Sequence, residues 1–115
     1  MTYSAAIVGA AGYAGVEVVR RLLEHPSFDV RVITSDSDAG ERLDALYPAF
    51  TGLTDLAFSP HNDPEVFSCD VAFLAVPHTA ALAAAPGLIE AGVTVIDLSA
   101  DFRLKDPLVY EKWYG

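Results

Sequence analysis

Gly9-Ala10-Ala11-Gly12-Tyr13-Ala14-Gly15 joins an apolar run, Ala5-Ala6-Ile7-Val8, to a segment of helical periodicity. Such a turn reverses the backbone sharply and lets a pyrophosphate approach N–H groups at the positive end of a helix dipole. That is dinucleotide chemistry. Gly9, Ala11, Gly12, Tyr13 and Ala14 are the candidate contacts, and Gly15 gives the helix room to close on the strand. The same spacing serves plain helix–strand packing, so the surrounding elements decide between the two readings.

Two further groups could do chemistry. Pro77-His78-Thr79 ends the unbroken apolar run Val71–Val76. Open α/β sheets bind ligands beyond the carboxyl ends of their strands, so Ala75, Pro77 and His78 stand where functional groups stand; equally, the three residues 77–79 can form a turn with Thr79 as helix cap. Asp97-Leu98-Ser99-Ala100-Asp101-Phe102-Arg103 follows another β-branched run, Val93–Ile96. Asp97, Asp101 and Arg103 form either a structural ion pair or part of a pocket for an anionic substrate, whose carboxylate or phosphate suits the guanidinium fork.

The elements that must position these groups are legible as patterns. Val16, Val19, Leu22 and Leu23 recur at helical spacing opposite Glu17, Arg20, Arg21 and Glu24, and His25-Pro26 closes that helix. Val30, Val32 and Ile33 form the second strand of a strand–helix–strand unit. Its tip reads Thr34-Ser35-Asp36-Ser37-Asp38. Thr34, Ser35 and Ser37 offer donors to a ribose 2′-phosphate, with Arg31 or Arg42 as cationic support, whereas Asp36 and Asp38 suit a 2′-hydroxyl; NADP and NAD both remain open.

Downstream, Leu56–Phe58 is a minor strand, and Ser59–Pro64 is a turn in which His61 is an exposed loop residue without a role. Leu82, Ala85, Leu88 and Ile89 mark a helix face that ends at Gly92, with Pro86 kinking the helix or starting a second piece. Asp106 and Pro107 open a last helix carrying Tyr110, Trp113 and Tyr114. The expected architecture over residues 1–115 is α/β: a Rossmann-like, doubly wound, mostly parallel sheet forming a single domain.

Composition narrows the function classes. Sixteen acidic against seven basic residues, a net charge of -9, leave no source of attraction for nucleic acid. The N-terminus lacks the basic region of a secretory signal, and prolines interrupt the longest apolar region, Val71–Ile89, so no membrane association is expected. A single cysteine, Cys69, fits a reducing, cytoplasmic setting. No metal cluster stands out.

The motif set resembles the opening part of the N-acetyl-γ-glutamyl-phosphate reductases. It comprises the turn Gly9–Gly15 with Glu17, then His25-Pro26, Ala39-Gly40, Phe73–His78, Val95–Leu104 and Trp113-Tyr114-Gly115. The resemblance implies an arginine-biosynthesis enzyme in which NADPH reduces N-acetyl-γ-glutamyl phosphate to the semialdehyde with release of phosphate, in the cytoplasm and as a homo-oligomer. NADP is the implied cofactor and NAD the lesser alternative. It also implies a thiolate nucleophile in a Gly-Cys-Tyr context of a second, catalytic domain, which this sequence does not contain. Cys69, between Ser68 and Asp70 and ahead of a strand, is read as a structural thiol, so no catalytic residue is assigned. The chain is then a cofactor domain, inactive by itself, with Ser99, Asp101 and Arg103 on its substrate side and with apolar surface left exposed. The alternatives are an aspartate-semialdehyde dehydrogenase-like reductase and a non-catalytic dinucleotide-sensing module. At Asp36 the sequence departs from the family, in which a basic or neutral residue is common.

Overall fold

Ala5-Ala6-Ile7-Val8 has no polar side chain on either face, which suits only a strand covered on both sides. The computed structural model, which describes residues 2–98, puts this strand, β1 (Tyr3–Val8), at the centre of a five-stranded sheet. The chain continues through α1 (Tyr13–Leu23), β2 (Phe28–Thr34), α2 (Leu43–Leu46), β3 (Phe58–Ser59), β4 (Val71–Leu74), α3 (His78–Glu90) and β5 (Thr94–Asp97). The strand order is β3-β2-β1-β4-β5, and all four pairings are parallel.

Alternation along the central strands divides the core in two. Ala5 and Ile7 of β1 join Val71 and Phe73 of β4 in one cluster with Val19 and Leu22 of α1. Ala6 and Val8 join Ala72 and Leu74 in a second cluster with Ala81 and Leu88 of α3. Helices thus cover both faces, as the expected doubly wound architecture requires. At the amino-terminal edge Ser4 and Asp70 clamp β1 to β4: the Ser4 N–H donates to Asp70 Oδ2 at 2.9 Å, and the Asp70 N–H donates to Ser4 Oγ at 2.9 Å.

Several local expectations change. The buried stripe of α3 runs through Ala81 and Leu88, while Leu82 and Ile89 are 58% and 63% exposed. A face of small residues lets the helix lie close to the sheet, so burial follows fit and not side-chain size. Pro77, not Thr79, is the N-cap of α3, because φ near −65° and extended ψ suit the residue before the first helical turn. The helix continues through Pro86 without a second piece; Pro86 is exposed, where water can meet the carbonyl that loses its donor. The minor strand is β3, two residues long, while Ala57 forms an isolated antiparallel bridge with Arg42. Exposed apolar side chains include Leu82, Ile89 and Ile96 of α3 and β5. Ser99–Arg103, Tyr110, Trp113 and Tyr114 lie outside the described residues.

The tightest constraint is at Gly15. A Cβ there would lie 2.3 Å from the Gly9 carbonyl oxygen and 2.6 Å from Ala10 Cα, both backbone atoms that cannot step aside. A Cβ on Gly12 would meet nothing within 4 Å. Urea denaturation of the chain is therefore expected to show Gly15→Ala destabilised by about 3 kcal/mol and Gly12→Val by no more than about 1 kcal/mol. Breaking the Ser4–Asp70 clamp with Asp70→Ala should cost about 1 kcal/mol in the same measurement, less than a buried pair because the clamp is exposed.

Candidate functional site

The turn after β1 is held by its neighbours before any ligand is considered. Gly9 has φ +87°, a left-handed conformation that side chains disfavour, and a Cβ there would strike Val76 Cγ1 at 2.8 Å. Its N–H donates to the Thr34 carbonyl at 3.1 Å and to Thr34 Oγ1 at 3.2 Å, and the Ala10 N–H donates to the same carbonyl at 2.8 Å. The Tyr47 hydroxyl donates to the Ala11 carbonyl. Gly12, exposed and extended, is the N-cap of α1, and among the described residues no side chain caps that helix. Among the described residues the N–H groups of its first turn, from Tyr13 to Gly15, meet no side-chain acceptor, and the first turn has no acidic residue. This is the arrangement an anion can use.

The end of β4 stands beside this turn. The Ala75 N–H donates to the Val8 carbonyl at 2.8 Å, so β4 leaves the sheet level with the glycine turn. Pro77 then starts α3, whose N-terminus also has no side-chain cap among the described residues; His78 is its first residue. The Leu98 N–H donates to the Leu74 carbonyl at 2.8 Å and brings β5 to the same edge, immediately before Ser99, Asp101 and Arg103. The chain winds from β1 to β2 on one side and β4 lies on the other, so this edge is the point where the strand order reverses. The structure thus brings Gly9–Gly15 and Ala75–His78 together.

At the tip of β2 the candidates separate. Thr34 is fully buried, and besides accepting from Gly9 its Oγ1 lies 2.7 Å from His61 Nδ1. Its role in this structure is to hold the turn. Ser35 and Ser37 both donate to Asp38 Oδ2, at 3.0 and 3.3 Å. Asp36 Oδ1 accepts the backbone N–H of His61 at 2.8 Å. Neither expected arginine supports this tip. Arg31 pairs with Asp29 at 2.6 Å, and Arg42 forms a two-point contact with Asp44, whose carboxyl it holds below the usual carboxylate range. Arginine prefers a carboxylate close in sequence when the backbone presents one at fork geometry.

Tyr47 and His61 are the residues that sequence reasoning missed. They bond to groups 36 and 27 residues away, and no local spacing reports such a contact. Only the position of His61 just beyond β3, at the carboxyl edge of the sheet, was a usable signal. Cys69 lies at the opposite edge, ahead of β4, buried and with its Sγ directed to the Glu65 carbonyl; burial pushes its thiol pKa up, the reverse of nucleophile activation. Among the described residues no group of His, Cys, Asp and Glu is arranged to hold a metal ion, and no helix is long and apolar enough to cross a membrane.

Comparison with known proteins agrees with this geometry. Curated relatives include the N-acetyl-gamma-glutamyl-phosphate reductase of Acinetobacter baylyi, 52% identical over 97% of this chain, and that of Laribacter hongkongensis, 50% identical over 95%. The chain spans 32% of the length of each. Among solved structures, the aspartate semialdehyde dehydrogenase of Candida albicans, determined with NADP, superposes with a TM-score of 0.73 at 22% identity, over 91% of this chain and 32% of that one. A probable aspartate-semialdehyde dehydrogenase of Pseudomonas aeruginosa gives 0.68 at 25% identity, over 86% and 28%. Residues 4–113 match the family described as semialdehyde dehydrogenase, NAD binding domain. With a parallel sheet that reverses its order at an open glycine turn, and with that match running through nearly the whole chain, the chain belongs to the NAD-binding domain family of the semialdehyde dehydrogenases.

Proposed function

We propose that residues 1–115 are the NADP(H)-binding domain of an N-acetyl-γ-glutamyl-phosphate reductase, a cytoplasmic homo-oligomer of arginine biosynthesis. The observation that carries the reading is the glycine turn at the reversal point of the sheet, fixed by Thr34 and Tyr47 and followed by a helix with an uncapped first turn. Gly9, Ala11, Gly12, Tyr13 and Ala14 hold the pyrophosphate, with Gly15 allowing α1 to begin close beneath it. The open space above Gly12 fits a ligand that must approach backbone N–H groups. Ser35 and Ser37 face the adenosine end, with Thr34 acting through Gly9. Ala75, Pro77 and His78 border the nicotinamide, and Ser99, Asp101 and Arg103 the acyl-phosphate substrate.

Bound there, a reduced nicotinamide supplies hydride. This chain's part is to fix and orient the carrier, which contributes to rate by positioning. Cys69, buried at the far edge of the sheet, is not the nucleophilic thiol that this reaction requires. An aspartyl-phosphate substrate is less well supported: relatives at about 50% identity carry the reductase name, whereas the aspartate semialdehyde dehydrogenases are similar at 22–25%.

Calorimetric titration of the chain should give saturable binding of NADPH and weaker binding of NADH; a folded chain that binds neither contradicts the proposal. Gly12→Val should weaken NADPH by more than about tenfold, since its side chain fills the space through which the pyrophosphate reaches the turn. Tyr47→Phe removes one hydrogen bond from the turn and should weaken NADPH by about fivefold.

A further inference from the structure

We infer that His61 is a specificity-determining residue of this domain: its imidazole Nε2 recognises the 2′-phosphate that distinguishes NADP from NAD. The inference rests on the NADP(H) reading above. It starts from what the tip of β2 has left to offer an anion. Ser35 and Ser37 each have a single hydroxyl proton, and both hydroxyls already lie within hydrogen-bond reach of Asp38 Oδ2 and of each other. Arg31 and Arg42 are paired with Asp29 and Asp44. Asp36 and Asp38 are anions that repel a phosphate.

His61 is placed differently. It follows β3 at the carboxyl edge of the sheet, and two contacts fix it against β2: its backbone N–H donates to Asp36 Oδ1 at 2.8 Å, and its Nδ1 lies 2.7 Å from Thr34 Oγ1. Thr34 Oγ1 accepts from the Gly9 N–H and keeps its own proton, which it can donate to Nδ1 of the His61 tautomer that has its ring proton on Nε2; a phosphate at Nε2 selects that tautomer. Among the described residues Nε2 has no hydrogen-bond partner, and the ring is half-buried. In that tautomer Nε2–H is a donor held in place by a buried threonine, beside the acidic residue that a 2′-phosphate would otherwise meet unopposed. A hydrogen bond to a phosphate is charge-assisted and stronger than one to a neutral hydroxyl, so a donor here favours NADP over NAD. The same threonine ties His61 to Gly9, so the adenosine and pyrophosphate ends share one anchor.

The test uses the full chain and two probes that report only the adenosine end, adenosine 2′,5′-bisphosphate and AMP, alongside NADPH and NADH. The unmodified chain should prefer the bisphosphate by about tenfold or more. His61→Asn keeps an amide at the Nδ1 position for Thr34 and removes the Nε2 donor; it should reduce that preference to about twofold, and the NADPH-to-NADH preference with it. His61→Gln, whose amide reaches the Nε2 position, should retain part of both preferences, a result that a loss of folding cannot imitate. Full preference retained by His61→Asn overturns the role of His61 and leaves the cofactor reading standing. Equal binding of the two probes by the unmodified chain overturns the NADP assignment and the role of His61 together.

Discussion

The approach of α1 to the end of β1 is the constraint on which the ligand edge depends. With the Gly9 carbonyl 2.3 Å from where a Cβ of residue 15 would be, the helix can begin there only because residue 15 has no side chain. That proximity forces the intervening turn into a tight loop with Gly9 at positive φ, and it leaves the first N–H groups of α1 facing outward. Thr34 and Tyr47 then hold the loop from β2 and from the segment after α2. A preorganised turn of this kind costs little further ordering when an anion arrives.

The fold was legible in the sequence where a pattern is local. The all-apolar runs of β1 and β4 announced strands covered on both faces, and the spacing of Val19 and Leu22 announced the buried side of α1. Where burial depends on fit across elements, the pattern was right only in part: Leu88 of the expected face is buried and Ala85 packs on the same cluster, but Leu82 and Ile89 are exposed and Ala81 is buried instead. Pro77 replaced Thr79 as the cap for a related reason, since backbone geometry at the strand exit outweighed the side-chain preference.

The candidate site divides in the same way. The glycine turn is contiguous, so its shape could be read from seven residues. The contacts that fix it are not contiguous. Thr34 serves the turn from 25 residues away, Tyr47 from 36, and His61 reaches Thr34 across 27. Side-chain type placed Arg31 and Arg42 at the adenosine end, but each lies two residues from an aspartate that captures it. Long-range pairing is a property of topology, and only the sheet order makes these residues neighbours.

The two edges of the sheet do different work. The amino-terminal edge has the Ser4–Asp70 clamp, which ties β1 to β4, and Cys69, whose thiol is buried. The carboxyl edge has two uncapped helix N-termini and the polar tips of β2 and β5. Cofactor binding is therefore assigned entirely to the carboxyl edge. Amide-resolved NMR of the chain during addition of NADPH tests this most directly. Shift changes should concentrate at Gly9–Gly15, Ser35–Ser37 and Ala75–His78 and be absent around Ser4, Cys69 and Asp70; saturable changes centred on the amino-terminal edge would place the cofactor at the wrong end of the sheet and overturn the assignment.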